Sequence, residues 1–288
     1  MRFVPYLGGK YFLLDKLLPM IPPHHAYVEV FGGGASLLLN KRPSPVEVYN
    51  DVDGELVNLF MVVRDHPGEF VRSVASLPYS RELYERWQRA IKRGQLKGNK
   101  IERAARFYYL LRSSFYGHVE KGWRFTVKSS EANRQYNCVG EIADIAKRLQ
   151  KVYLDNLNFT RCLKNWDRPD TFFFLDPPYV DSVKYRSGIP AFTVKDHAAL
   201  AEATRHLQGK WLLTYNDCPK VRELYDGFEM IPVSTRLQTQ KVKAGGHRVL
   251  FEQLAIANYP GASKVPLREE KVATPPGHVI IANYPIKK

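Results

Sequence analysis

Thr171-Phe172-Phe173-Phe174-Leu175-Asp176-Pro177-Pro178-Tyr179 is the stretch that decides how this chain folds. Its first half is apolar and free of charge, the pattern of a parallel strand buried on both faces. An aspartate, two prolines and a tyrosine follow at once. They therefore stand at the carboxyl end of that strand, where open α/β sheets bind their ligands. Asp176 offers an oxygen acceptor, the Pro-Pro pair a rigid backbone with a fixed carbonyl, and Tyr179 a ring to stack on. That set suits an exocyclic amine, with one N–H to the carboxylate and the other to the Pro177 carbonyl. The plainer alternative is a structural Pro-Pro turn beside an incidental acid.

The neighbouring segments favour the first reading. Tyr27-Val28-Glu29-Val30-Phe31 reads as a strand, Gly32-Gly33-Gly34-Ala35-Ser36 as a glycine turn and Leu37-Leu38-Leu39 as the start of a helix. Val46-Glu47-Val48-Tyr49 reads as a second strand ending at Asn50-Asp51. Strand, glycine turn, helix, strand and acid in this order make half of a nucleotide-binding α/β unit. Glycine serves where backbone approaches a ligand or takes a positive φ. A helix starting near Ser36 would aim its N-terminal N–H groups at the same pocket, and Asp51 is placed to accept from ribose hydroxyls. Pro5-Tyr6-Leu7-Gly8-Gly9-Lys10 is a second glycine turn, whose backbone could lie against a ligand while Lys10 meets a carboxylate. Residues 13–18 read as a short amphipathic helix ended by Pro19.

Further strands are expected at 152–154, 211–214, 228–233 and 250–257, with a helix over 194–207 capped by Thr193 or Asp196. The tail repeats itself: Ala255-Ile256-Ala257-Asn258-Tyr259-Pro260 recurs as Ile281-Ala282-Asn283-Tyr284-Pro285. One copy is expected to end the sheet, and the other to be an added edge strand or a dispensable extension.

From about residue 53 to 147 the strand signal fades. Residues 81–93 (Leu83, Trp87, Ile91) and 101–111 (Ile101, Ala104, Ala105, Tyr108, Leu111) show helical spacing, and Lys and Arg crowd this stretch. Trp123-Arg124-Phe125-Thr126-Val127 alternates like a strand after a turn at Glu120-Lys121-Gly122, so a basic helical insertion with a hairpin is expected. Its charges are either a solvated helix face or a grip on phosphates. The whole-chain balance supports the grip: 43 Lys+Arg against 29 Asp+Glu in 288 residues give a net charge of +14, which implies a polyanionic partner.

Other classes lose ground. Cys138, Cys162 and Cys218 show neither CxxC spacing nor a disulfide framework, so a reducing compartment is expected. No metal site is suggested, and His24-His25 reads as loop. The start, Met1-Arg2-Phe3-Val4-Pro5, does not read as a signal peptide, and no apolar run is long enough to span a bilayer. A cytoplasmic protein is expected.

Taken as a set, these segments resemble the Dam-like DNA adenine-N6 methyltransferases, whose order is cofactor site, recognition domain, catalytic tetrapeptide. The resemblance spans roughly residues 5–259. It rests chiefly on DPPY at a strand end, with PYLGGK, EVFGGGAS and NDVDGEL in the same order. It implies an α/β fold with a Rossmann-like S-adenosylmethionine-dependent methyltransferase sheet and an inserted, mainly helical DNA-recognition domain. Residues 1–57 and 148–260 would form the catalytic domain, 58–147 the insertion and 261–288 a C-terminal extension. Position by position, Asp176, Pro177, Pro178 and Tyr179 match the catalytic tetrapeptide, and Tyr6, Gly8, Gly9 and Lys10 the first cofactor segment. Phe31, Gly33 and Ser36, with Gly32 and Gly34 in the same turn, match the F-x-G-x-G-S motif. Asp51 matches its ribose-binding acid, and Asn158-Phe159 resembles the Asp-Phe segment beside the cofactor's adenine. Arg112, Ser114, Tyr116, Arg124 and Lys128 lie where the family places its recognition hairpin. Lys241, Lys243 and Arg248, in a basic loop, are a second candidate DNA contact. The chain departs from the family pattern at Ala35, where a glycine is expected, at Asn158, where the family has Asp, and at Pro5, where many relatives carry Lys.

The resemblance implies methyl transfer from S-adenosylmethionine to the N6 amino group of an adenine flipped out of double-stranded DNA, without a metal or a membrane. A cognate restriction endonuclease is a candidate partner. Cytosine-N4 methylation is the nearest rival, since that amine poses the same problem to the same groups. A DNA-binding protein that has lost catalysis is the rival from another class, and intact Asp176 and Tyr179 speak against it.

Overall fold

Five parallel strands carry the site, and their order follows from where the apolar runs can be buried. The computed structural model describes residues 1–133, 138–181, 186–236, 250–262, 269–272 and 280–283. Within them lie β1 (Ala26–Glu29), β2 (Val46–Asn50), β3 (Val152–Asp155), β4 (Thr171–Leu175), β5 (Lys210–Asn216), β6 (Glu229–Arg236) and β7 (Leu250–Ala257). They form one sheet in the order β3-β2-β1-β4-β5-β7-β6. β1 to β5 pair in parallel, while β7 runs antiparallel to both β5 and β6.

β1 and β4 sit at the centre and are buried along their whole lengths. Alternate side chains enter opposite layers: Tyr27, Phe172 and Phe174 join one apolar cluster, while Val28, Phe173 and Leu175 join the other. Two-sided burial explains the unbroken apolar code of these strands. From β1 the chain moves outward to β2 and β3, then returns to β4 on the other side of β1. That reversal is a topological switch point, and it opens a crevice at the carboxyl ends of β1 and β4. Glu29 pairs with Phe174 in register, so the glycine turn after β1 and the tetrapeptide after β4 emerge side by side.

The expected helix after the glycine turn is a single turn. Leu39 N–H donates to Ala35 O at 3.0 Å and Lys41 N–H to Leu37 O at 2.8 Å, and there the pattern stops. Competing partners end it. The buried Glu29 carboxylate takes the Leu38 N–H at 2.9 Å, and the Asn40 amide donates to Ser36 O at 2.8 Å. Pro43 follows and disfavours helix at the residue before it. The anion-binding helix terminus expected near Ser36 is therefore not formed.

Residues 53–149 are mainly helical: Gly54–Asp65, Pro67–Ala75, Arg81–Lys92, Lys100–Ser113 and Ile142–Leu149. Asp53, Ser80 and Asn99 cap three of them, Asn99 and Glu102 forming a reciprocal capping box. Their apolar faces join the cluster that covers one face of the sheet. The expected hairpin reduces, among the described residues, to one antiparallel bridge, Ser114 to Trp123. Arg124 N–H adds a bond to Ser113 O at 2.7 Å. Phe125 and Val127 are exposed instead of paired, because in antiparallel register the chain opposite them is the end of helix Lys100–Ser113. The connection between the bridged residues holds a short 3-10 turn, Phe115–Gly117, with Tyr116 at φ 57.

The expected helix over residues 13–18 is Leu14–Leu17, flanked by 3-10 turns Lys10–Leu13 and Leu18–Met20. Val194–Arg205 is helical, and both candidate cap residues act: Thr193 N–H donates to Asp196 at 2.7 Å while Asp196 N–H donates back to Thr193. The first copy of the tail repeat lies in β7, inside the sheet between β5 and β6, not at its end. The second forms β9 (Ile280–Asn283), which pairs with β8 (Glu269–Val272) in a separate two-stranded sheet. It is not an edge strand of the main sheet.

Candidate active site

The switch-point crevice holds a cavity of about 610 Å³. Of the expected residues, Asp176, Pro178, Tyr179, Tyr6, Gly9, Lys10, Phe31, Gly32, Gly33, Gly34, Ser36 and Asp51 line it. Pro177 is buried and is not part of the lining. Gly8 lies off the wall, its carbonyl accepting from Lys10 Nζ at 2.7 Å.

Asp176 is held on both oxygens. Lys10 Nζ lies 2.6 Å from the carboxylate, and Thr214 Oγ1 on β5 donates to Oδ1 at 2.8 Å. Burial pushes its carboxyl above the ordinary range, opposed first by the Lys10 ammonium and then by the Thr214 hydroxyl. The carboxylate that Lys10 was expected to meet is thus one from the chain itself. Lys10 Nζ also lies 4.9 Å from the centroid of the Tyr179 ring. The Tyr179 hydroxyl donates to Gln253 on β7, so that ring is oriented from two sides.

At the end of β2, Asp51 accepts the Gly33 N–H at 2.8 Å and the Asp53 N–H at 2.8 Å. Burial pushes Asp51 up to about 6. The N–H bonds from Asp53 and Gly33 and the Arg186 charge oppose this, while the Asp53 charge adds to it. Glu29, at the end of β1, lines the same cavity, and its burial raises it to about 8. The glycine turn divides its labour. A Cβ on Gly32 would meet the Tyr49 ring at 2.2 Å, so that position is glycine for packing. Gly33 takes φ 48, and Ala35, buried, takes φ 53. The methyl of Ala35 is accommodated in a left-handed turn that glycine more often fills.

The far wall is aromatic. Phe31 stacks on Phe159 with centroids 5.8 Å apart, and Phe192 meets Phe31 edge-on at 5.7 Å. Phe159 therefore backs the wall from outside it. Asn158 is exposed and caps helix Phe159–Trp166 by accepting the Arg161 N–H at 2.9 Å; it does not line the cavity. Arg186, Phe192, His197 and Thr214 were missed in the sequence because no local motif marks them. His197 bonds the Tyr215 hydroxyl at 2.7 Å, and burial lowers its pKa.

Of the expected DNA contacts, Tyr116 and Lys128 are exposed. Ser114 is not available: it is buried, and its hydroxyl donates to Leu111 O at 3.3 Å. Arg112 reaches Phe3 O at 3.4 Å, and Arg124 pairs with Glu131 at 2.7 Å, so both are partly engaged within the fold. Lys241, Lys243 and Arg248 lie outside the described residues. Among the described residues no group of three or more metal-ligating side chains occurs, and no helix is long and apolar enough to cross a membrane.

Carboxylates outnumber cations on this cavity's wall although the chain is strongly basic, and aromatic rings line it as well. Sheet order, switch-point crevice and strand-end acid define a methyltransferase of the Rossmann-like, S-adenosylmethionine-dependent class. More particularly, residues 6–239 match the model of the D12 class N6 adenine-specific DNA methyltransferases, and the chain belongs to that family. Its reaction is methyl transfer to the N6 amino group of adenine in DNA; cytosine-N4 transfer and a catalytically silent DNA-binding role are not favoured. The chain is 25% identical to the Type II methyltransferase M1.LlaDCHI of Lactococcus lactis subsp. cremoris, over 89% of its own length and 95% of the relative's. It is equally 25% identical to the DNA adenine methylase of Escherichia coli K12, over 90% and 95%. Among solved structures, the rRNA methyltransferase AviRa of Streptomyces viridochromogenes aligns over 87% of this chain and 82% of its own. That match has 13% identity and a TM-score of 0.29, too slight a likeness to carry a conclusion.

Proposed function

We propose that this chain methylates adenine N6 at a specific site in duplex DNA, with Asp176, Pro177, Pro178 and Tyr179 acting on the extruded base. Tyr6, Gly9, Lys10, Phe31, Gly33, Ser36 and Asp51 would hold S-adenosylmethionine. The observation that carries this reading is the meeting of Asp176 and Asp51 on one cavity from the ends of β4 and β2, the two strands that flank β1. The lining fits that cofactor. Asp51 offers acceptors to ribose hydroxyls, the Phe31 and Phe192 rings suit its adenine, and the carboxylates suit a sulfonium. When bound, it supplies an electrophilic methyl group that the amino nitrogen displaces directly.

The adenine amine is a poor nucleophile because its lone pair is delocalised into the ring. Asp176 accepting one N–H and the Pro177 carbonyl accepting the other favour a pyramidal nitrogen with its lone pair aimed outward. Alignment and acceptors set in advance for the growing positive charge lower the barrier. Lys10 has a supporting role here: its charge opposes the protonation of Asp176 that burial promotes. Extrusion of the base costs a few kcal/mol. Stacking on Tyr179, whose ring Lys10 and Gln253 orient in advance, recovers about 1–3 kcal/mol of it.

The +14 charge suits a DNA partner. Exposed Tyr116 and Lys128, with Lys241, Lys243 and Arg248, are the proposed contacts, and the helical region 58–147 is the proposed recognition domain. We further propose a cytoplasmic location. A cognate endonuclease is a proposed partner, supported by the Type II name of one relative.

Duplex DNA incubated with labelled S-adenosylmethionine tests this assignment. Asp176→Ala and Asp176→Asn should both abolish incorporation while the protein stays folded and still binds cofactor. Full activity in either variant would refute the roles given to the tetrapeptide.

A further inference from the structure

Arg186 belongs to no motif, yet it ties three parts of the cavity together. It lies on the cavity wall, in the segment that follows the tetrapeptide. Its guanidinium grips Asp53 with a two-pronged fork, Nε to Oδ2 at 2.7 Å and Nη2 to Oδ1. A lysine could not reproduce that geometry. Asp53 is 1% exposed and also caps helix Gly54–Asp65, accepting the Glu55 N–H at 3.0 Å. The backbone N–H of the same Asp53 donates to Asp51 Oδ1 at 2.8 Å. The guanidinium thus acts two residues away from the acid at the end of β2. On its other side, Ser187 N–H donates to the Glu120 carboxylate, and the Phe107 ring centroid lies 5.7 Å from the Arg186 guanidinium carbon. The segment is therefore pinned to the helical region as well as to β2.

We propose that Arg186 is a positioning residue for the cofactor's ribose: by neutralising Asp53 from the segment after the tetrapeptide, it completes the ribose-binding end of the cavity. The inference rests on the reading of Asp51 as the ribose acceptor.

Without the guanidinium, Asp51 and Asp53 are two buried acids joined by one hydrogen bond, and like charges disfavour the ionisation of both. Asp51 already titrates near 6, with the Asp53 charge pushing it up and Arg186 pulling it down. Removing Arg186 moves Asp51 further up, so a proton replaces part of the negative charge that a ribose hydroxyl would meet. Charge-assisted bonds are about twice as strong as neutral ones. Tyr49 faces Asp51 from its own strand, and Tyr6 from the N-terminal segment and Glu29 from β1 face Tyr49 in turn. Glu55, with its partner Arg103, stands beyond Asp53. Lys10, Asp176, Asp181, Glu120 and His197 face the cavity from its other walls. These groups are common to every variant below, so the comparison is made between variants at each pH.

Calorimetric titration of the full chain with methylthioadenosine tests the proposal, because this probe carries adenine and ribose but no amino-acid group. Wild type, Arg186→Met and the double variant Arg186→Met with Asp53→Asn are compared between about pH 5 and about pH 7.5. A carboxyl titrating near 6 weakens wild-type binding about tenfold on going from neutral pH to about pH 5. In Arg186→Met the same fall should begin at higher pH, leaving weaker binding at neutrality. In the double variant, with the second negative charge gone, the profile should move back toward wild type. A profile of Arg186→Met that superimposes on wild type overturns the proposal. So does a double variant whose profile stays with the single variant, since that is the mark of a merely structural arginine. Failure of the wild-type chain to bind either methylthioadenosine or S-adenosylmethionine is a different result, and it removes the cofactor assignment itself.

Discussion

Replacing Lys10 with methionine separates two jobs open to this side chain, contact with bound cofactor and maintenance of charge on Asp176. Nζ is 2.6 Å from the carboxylate, with the two side chains 4% and 15% exposed, so salt screens the pair little. At an effective dielectric constant of about 20, Coulomb's law gives about 6 kcal/mol at that separation, an upper figure. Removing one partner of a buried pair costs about 3–5 kcal/mol in practice. The variant can escape much of that cost by protonating Asp176. Burial already pushes this carboxyl upward, and Lys10 is the first of the influences opposing it. Its loss lets Asp176 climb further.

In the proposed mechanism methyl transfer needs Asp176 as an ionised acceptor, so the acid limb of the rate should move to higher pH. About 3 kcal/mol corresponds to about a hundredfold loss at neutral pH, recovered as pH rises. Stability runs the other way. A carboxyl whose folded pKa is raised binds its proton in the folded state first, so Lys10→Met gains stability as pH falls from the folded value toward the unfolded one. Single-turnover transfer to a duplex oligonucleotide across about pH 6–9, with cofactor affinity measured alongside, decides the matter. An unshifted rate profile, with the whole loss in cofactor affinity, would show that Lys10 serves the cofactor and that this account of Asp176 is wrong.

Gly117 takes φ 71, and a Cβ there would stand 2.1 Å from Pro5 O. Gly117→Ala should therefore lose more than the about 1–2 kcal/mol of left-handed strain and should weaken cofactor binding by displacing the Pro5-Tyr6 backbone. Gly94→Ala, at φ 66 with nothing within 4 Å, should show the strain alone in a thermal melt; equal shifts in the two variants would contradict the contact. Affinity for DNA should fall steeply with salt, and Lys128→Gln should reduce the log–log slope by about one if Lys128 touches a phosphate. Ser114→Ala should cost about 1 kcal/mol of stability and leave that slope unchanged; an altered site preference in this variant would mean that the buried hydroxyl does reach DNA.

Residues 171–179 were legible because two facts coincide there. A strand buried on both faces writes an unbroken apolar code, and whatever follows it must emerge at a strand end. The turn after β1 was half legible. Its glycines are read correctly as a turn, but Leu37-Leu38-Leu39 is buried for packing and not as a helix, since Glu29, Asn40 and Pro43 stop the ladder. The alternation at 123–127 misled for a related reason. Trp123 and Phe125 stack on each other at 5.7 Å, and Arg81 lies over both rings. Period two arises there from an aromatic cluster and not from a ladder.

What stayed invisible is the charge pairing. Arg186 meets Asp53 across 133 residues, Lys10 meets Asp176 across 166, and Thr214 meets Asp176 across 38. No periodicity or spacing encodes such partners; they meet only because β1, β2, β4 and β5 end in one crevice. Those pairings nevertheless set the ionisation of Asp51 and Asp176. In this fold, therefore, the identity of the proposed site acids is a local property of the chain, while their protonation is a property of the sheet order.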